Sequence, residues 1–140
     1  MGKASESIQF YASILGATGV GLGAIGAHAL KETLSKGNHL DSYRTAVAYQ
    51  LFHATALLGL SALAKDTNSN NNNNPTNESR LLLWSAQCMA AGTVLFSGSI
   101  YGLCLGIGPR KLLGPATPIG GLLMIGGWVL VGLGDSKKKQ

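Results

Sequence analysis

Charge is scarce in this sequence: Asp, Glu, Lys and Arg make up 12% of its 140 residues, about half of what soluble domains carry. The little that exists avoids four long segments. Ile8–Leu30, Ala46–Ala64, Leu81–Ile107 and Pro118–Leu133 contain none of the 11 basic or 6 acidic side chains. A soluble helical bundle needs a polar face on every helix, so that class is excluded. A bilayer imposes such a partition, because a charge at its centre costs at least about 2.5 kcal/mol.

Other scarcities narrow the reading further. There are two cysteines, Cys88 and Cys104. On one helix they are separated by about 24 Å of rise, beyond disulfide reach. Neither has a second thiol or an imidazole at metal-ligand spacing, so both read as small packing residues and no cofactor is expected. Aromatic residues reach only 6%, and the net charge of +5 comes from basic residues scattered over tails and loops. That pattern lacks the aromatic interleaving of nucleic-acid binders, so nucleic acid is not an expected partner. The run Lys137-Lys138-Lys139 beside an apolar segment reads as a lipid anchor or topology signal.

What is present is apolar length. The first segment, 8–30, exceeds the ~20 residues that cross a bilayer, and its helical pattern extends toward a stop at Gly37. Asp41 is placed to cap the second helix, with its span at 46–64. Residues 65–80, including Asn70–Asn74, read as a flexible loop that can bury nothing. The third span, 81–107, is long for one crossing. The fourth is short, opening at Thr117-Pro118 as cap and first helical residue and closing near 133. The fold class is therefore all-α, a transmembrane four-helix bundle in a single integral membrane domain over residues 1–140. Ala27-His28-Ala29 resembles a signal-peptide cleavage site, but the preceding stretch is long and glycine-rich for a signal core, which favours a retained span. Six basic residues on the side of the termini against five on the other decide orientation weakly. The terminal lysines favour both termini facing the cytoplasm, or the matrix of a mitochondrion.

Between helices in lipid the hydrophobic drive is weak, and small residues that permit close backbone approach carry association. Gly19 and Gly23 in the first span, and Gly98, Gly102 and Gly106 in the third, are the expected packing positions among 20 glycines.

Four strings bear a resemblance: Gly23-Ala24-Ile25-Gly26-Ala27-His28-Ala29-Leu30-Lys31, Tyr43-Arg44-Thr45-Ala46-Val47-Ala48-Tyr49-Gln50-Leu51-Phe52-His53-Ala54, Leu95-Phe96-Ser97-Gly98-Ser99-Ile100-Tyr101 and Thr117-Pro118-Ile119-Gly120-Gly121. In this order they resemble the small multi-spanning family typified by bacterial YgdD and eukaryotic transmembrane protein 256. The resemblance spans nearly the whole chain, and the asparagine-rich loop departs from the family's short connection as a tolerated insertion. It implies a multi-pass protein of a bacterial inner membrane or, in eukaryotes, of a mitochondrial one. It implies no activity.

Polar groups inside lipid are the places to look for function. His28 and His53 lie about 13 and 18 Å from the turn between the first two helices, so they are expected at similar depth and facing one another. Tyr49 and Gln50, four and three residues before His53, belong to the same helical face. With Ser97 and Tyr101 of the third span they form a candidate intramembrane polar cluster. Such a cluster could carry protons or, more simply, hold helices in register by hydrogen bonds. A metal site lacks carboxylate or thiol partners, and Phe96-Ser97-Gly98 lacks the elbow pattern of a serine nucleophile. The expected role is structural or accessory in a membrane assembly, with lipid and other membrane subunits as partners and no enzymatic activity. The alternative is transport of a proton or small solute along His28, Tyr49, Gln50 and His53.

Overall fold

A computed structural model describes residues 3–69 and 77–136, with the side chains of 66–69 and 135–136 left aside. The described residues are almost wholly helical: α1 (Lys3–Ala27), α2 (Lys31–Lys36), α3 (Leu40–Ser69), α4 (Asn77–Leu105) and α5 (Arg110–Ser136). Four of these, α1, α3 over Leu40–Lys65, α4, and α5 over Arg110–Gly134, are long and apolar enough to cross a membrane. They pack as a bundle in chain order, α1 on α3, α3 on α4 and α4 on α5, with α1 also leaning on α4.

Element boundaries depart from the sequence expectation at four places. The first helix does not run on to Gly37. Thirty-five straight residues would measure about 52 Å, well past the bilayer. Instead the ladder slips after Ala27, where the Leu30 N–H donates to the Ile25 carbonyl, and α2 folds over the end of the bundle. This burial brings Leu34 completely inside, against Tyr43 and Cys104. Asp41 is not the cap of α3, because the helix already begins at Leu40. The turn before it takes its left-handed residue at Asn38, φ 56°, rather than at Gly37, and asparagine tolerates that region.

The third and fourth departures concern α4 and α5. Residues 65–69 and 77–80 of the expected loop are helical ends of α3 and α4, and 70–76 lie outside the described residues, as do Lys137 to Lys139. The fourth helix begins at Arg110, not at Thr117-Pro118. Starting there gives about 40 Å of helix instead of a marginal crossing. Pro115 and Pro118 are both inside it, as membrane helices tolerate when neighbours re-satisfy the freed backbone groups.

Two apolar clusters fill the interior. One joins Ile8, Ala12, Leu15, Leu57, Ala86 and Met89 toward the end bearing the N-terminus; the other surrounds Tyr43 under α2. Many other large apolar side chains face outward. Leu122 is 68% and Trp84 63% exposed, an arrangement that is stable only if lipid covers it.

Backbone closeness is greatest between α4 and α5. A Cβ on Gly92 would stand 2.7 Å from the Gly120 carbonyl oxygen, and one on Gly120 would stand 2.5 Å from the Phe96 nitrogen. At Gly127 it would be 3.0 Å from the Ser85 carbonyl oxygen. These three glycines let two backbones touch. The glycines expected to do so in α4 behave differently. Gly98 meets nothing within 4 Å. Gly106 ends the helix at φ 67°, with the Ile107 N–H donating to the Gly102 carbonyl, the bond of a Schellman stop. Gly102 admits Leu113 from the following helix. In α1, Gly19 lies under Leu51 and Gly23 against Val47, both of α3.

Candidate functional site

Between the two apolar clusters lies a layer of hydrogen-bonded polar side chains centred on Gln50. Ten residues into α3, Gln50 sits about 15 Å below the helix start, near mid-bilayer. Its amide nitrogen donates to the Leu15 carbonyl at 3.0 Å and to the Thr18 hydroxyl at 2.8 Å, both on α1. A carbonyl oxygen only accepts, so the nitrogen must face Leu15. That leaves the amide oxygen for the Tyr101 hydroxyl of α4, which donates to it at 2.9 Å. Gln50 therefore has both amide hydrogens and its oxygen engaged, tying three helices together.

The layer extends toward α2. The Tyr101 ring lies against Tyr43, centroids 5.0 Å apart, and the Tyr43 hydroxyl donates to the Leu22 carbonyl at 2.9 Å. Tyr43 reaches that carbonyl because Gly26 opposes it: a Cβ on Gly26 would collide with the phenol ring. Ser97, 1% exposed, donates to the Ala46 carbonyl of α3 at 2.8 Å. Further hydroxyls bind helix to helix in the same manner. Ser5 donates to the Ser61 carbonyl, Ser85 to the Gly127 carbonyl, and Ser99 pairs with Thr117. No buried side-chain nitrogen or oxygen among the described residues lacks a partner.

His53 belongs to a separate arrangement. Its Nδ1 lies 2.9 Å from the Tyr49 carbonyl oxygen, and the Trp128 indole N–H of α5 donates to its Nε2 at 3.3 Å. An indole nitrogen only donates, so Nε2 carries no hydrogen and Nδ1 carries it. His53 is thus the neutral Nδ1–H tautomer, linking α3 to α5. Phe52 and Tyr49 flank it, and the Tyr49 ring also lies 4.9 Å from Phe96.

The expected cluster is therefore divided. Gln50, Tyr101 and Ser97 share one interior layer, while His53 turns toward α5 with Tyr49 beside it at the lipid-facing edge. Three residues along a helix amount to about 300° of turn, and the remaining 60° is enough to send Gln50 to α1 and His53 to α5. His28 does not face His53. It follows the last residue of α1 and is exposed at the end of the bundle. The sequence reading missed Thr18, Tyr43 and Trp128. A signal existed for Trp128, since an indole N–H inside a span requires an acceptor. Among the described residues no group of three His, Cys, Asp or Glu is placed to hold a metal.

Four apolar helices, lipid-facing side chains on their outer surfaces and polar groups consumed inside define a multi-pass integral membrane protein. Residues 22–121 match the family model described as "Protein of unknown function (DUF423)". The chain is 40% identical over 121 residues to a UPF0382 membrane protein of Schizosaccharomyces pombe, covering 84% of this chain and 91% of that one. It is 35% identical over 136 residues to the UPF0382 inner membrane protein YgdD of Escherichia coli, covering 97% and 94%. A UPF0382 membrane protein of Staphylococcus aureus is 38% identical over 112 residues, 80% of each chain. The chain belongs to this DUF423/UPF0382 family, as its motifs indicated. No solved structure matches it.

Proposed function

We propose that this protein is a non-catalytic, structural component of a membrane assembly, a rigid four-helix bundle that presents α5 to another membrane subunit. The supporting observation is a set of glycines with no role inside the bundle. Gly114, Gly121, Gly126 and Gly132 of α5 meet nothing within 4 Å of a built Cβ. Each costs a helix roughly 0.5–1 kcal/mol relative to alanine, and in lipid small residues serve close approach of another helix. The polar layer supports the same reading, because Gln50, Tyr101 and Ser97, and His53 through Nε2, spend hydrogen bonds on helix-to-helix ties. The transport alternative draws less support, with His28 outside the layer and Gln50 saturated. The Escherichia coli relative is an inner membrane protein by name, which supports an inner membrane as the setting, and the packing of α1 onto Gln50 supports its retention in the mature chain.

The test is native purification in mild detergent followed by mass spectrometry of co-purifying chains. A stoichiometric membrane partner that is lost on Gly121→Leu or Gly126→Leu, with the bundle still folded, is the expected result. Recovery of the wild-type chain as a lone monomer overturns the reading.

A further inference from the structure

A groove of about 300 Å³ opens between the end of α1 and the start of α3, lined by Gly23, Gly26, Ala27, Arg44, Ala48 and Leu51 among others. Its shape follows from the sequence. Arg44, Ala48 and Leu51 stand at i, i+4 and i+7, one line down α3 about 10 Å long. Opposite them, Ala27 gives α1 little side-chain volume, and Val47 and Tyr43, packed onto Gly23 and Gly26, form the floor. Leu51 closes the lower end by seating over Gly19. The result is a short apolar trough with a guanidinium at its mouth.

That mouth lies at the depth of lipid headgroups. Arg44 is four residues into α3, about 6 Å from its start. Its ion pair to Asp41 is 3.8 Å long with both side chains largely exposed, a contact of little strength. The same end of the bundle carries Lys31, Lys36, Arg110 and Lys111 against Glu32 and Asp41. Two further surface grooves, around Cys88 and around Ala90, are lined by uncharged side chains. We propose that the α1–α3 groove is a binding site for an anionic phospholipid, with one acyl chain lying along Ala27, Val47 and Ala48 and the phosphate paired with Arg44. A guanidinium suits this role because its planar donors match phosphate oxygens.

The site is independent of the partner surface on α5, and its test leaves that reading untouched. The full-length protein in mild detergent is offered phosphatidylglycerol or phosphatidylcholine with identical acyl chains, and retained lipid is counted by native mass spectrometry. The wild-type chain is expected to keep one phosphatidylglycerol in preference to phosphatidylcholine. Arg44→Gln lowers that preference about fivefold, the effect of one cation near a lipid surface, while Arg110→Gln leaves it in place. Ala48→Trp, at an exposed position, fills the trough and lowers retention of both lipids. Equal retention of the two lipids by the wild-type chain, a preference that survives Arg44→Gln, or retention unchanged by Ala48→Trp overturns the proposal.

Discussion

The Tyr101 hydroxyl donates to the Gln50 amide oxygen across 2.9 Å, joining α4 to α3 at the level where Gln50 also grips α1. Inside an apolar interior the Tyr101 hydroxyl donates to this oxygen, while the Gln50 amide nitrogen is spent on α1. Gln50→Leu removes both ties at once and orphans the Tyr101 phenol. The expected loss is roughly 1–3 kcal/mol of stability, read by titrating the detergent-solubilised protein with dodecyl sulfate. A double-mutant cycle with Tyr101→Phe should return a coupling of about 0.6 kcal/mol, the usual scale for hydrogen bonds between membrane helices.

Adjacent glycines on α5 offer a sharper contrast. Gly120→Ala drives a methyl to 2.5 Å from the Phe96 nitrogen, whereas Gly121→Ala meets nothing within 4 Å. The first should separate α4 from α5 and lower the unfolding midpoint. The second should leave it unchanged or raise it, by up to about 1 kcal/mol from helix propensity. Equal effects would contradict the backbone contact described between these helices.

The two histidines should also part company. His28→Ala, at an exposed position, should shift stability by no more than about 0.5 kcal/mol. His53→Ala empties a buried site and strands the Trp128 indole N–H, at a cost of roughly 1–3 kcal/mol. Circular dichroism melts of the two variants in the same detergent compare them directly.

Trp128 reports on the same contact optically. With Trp84→Phe as background it is the sole remaining tryptophan of the two in the chain. His53→Leu removes the acceptor of its N–H, and the fluorescence maximum should move to the blue. Emission that does not move would contradict the indole-to-imidazole bond.

Everything set by the bilayer could be read in the sequence. Exclusion of charge from four segments identified the crossings, because lipid acts on each residue independently of its neighbours. The helical ends of α1 and α5 could not be read so well. Leu34 is drawn inward by Tyr43 and by Cys104, seventy residues away, and α5 passes through two prolines that elsewhere would end a helix. Polar residues were recognised as important but not correctly grouped. Gln50 and His53 look alike by spacing, and only the positions of α1 and α5 around α3 separate them. Glycines failed for a related reason: a stripe at Gly98, Gly102 and Gly106 has the right spacing, yet which face meets a neighbour depends on the crossing geometry. Gly92 in α4 meets Gly120 because two backbones happen to cross there.

The uneven nature of the seams has a consequence for assembly in the membrane. α4 and α5 meet backbone to backbone and are joined by a short turn, so they can form a hairpin as soon as both are inserted. α1 and α3 form another hairpin through Gly19, Gly23 and Gln50. The two hairpins then meet through side chains, the shared apolar cluster together with three bonds: Ser97 on Ala46, Tyr101 on Gln50 and Trp128 on His53. The bundle is thus two hairpins joined by the apolar cluster of Ile8, Leu57, Ala86 and Met89 and set in register by a few directional bonds. Two separately expressed fragments, 1–72 and 73–140, hold the two sides of these bonds between them and are expected to find each other.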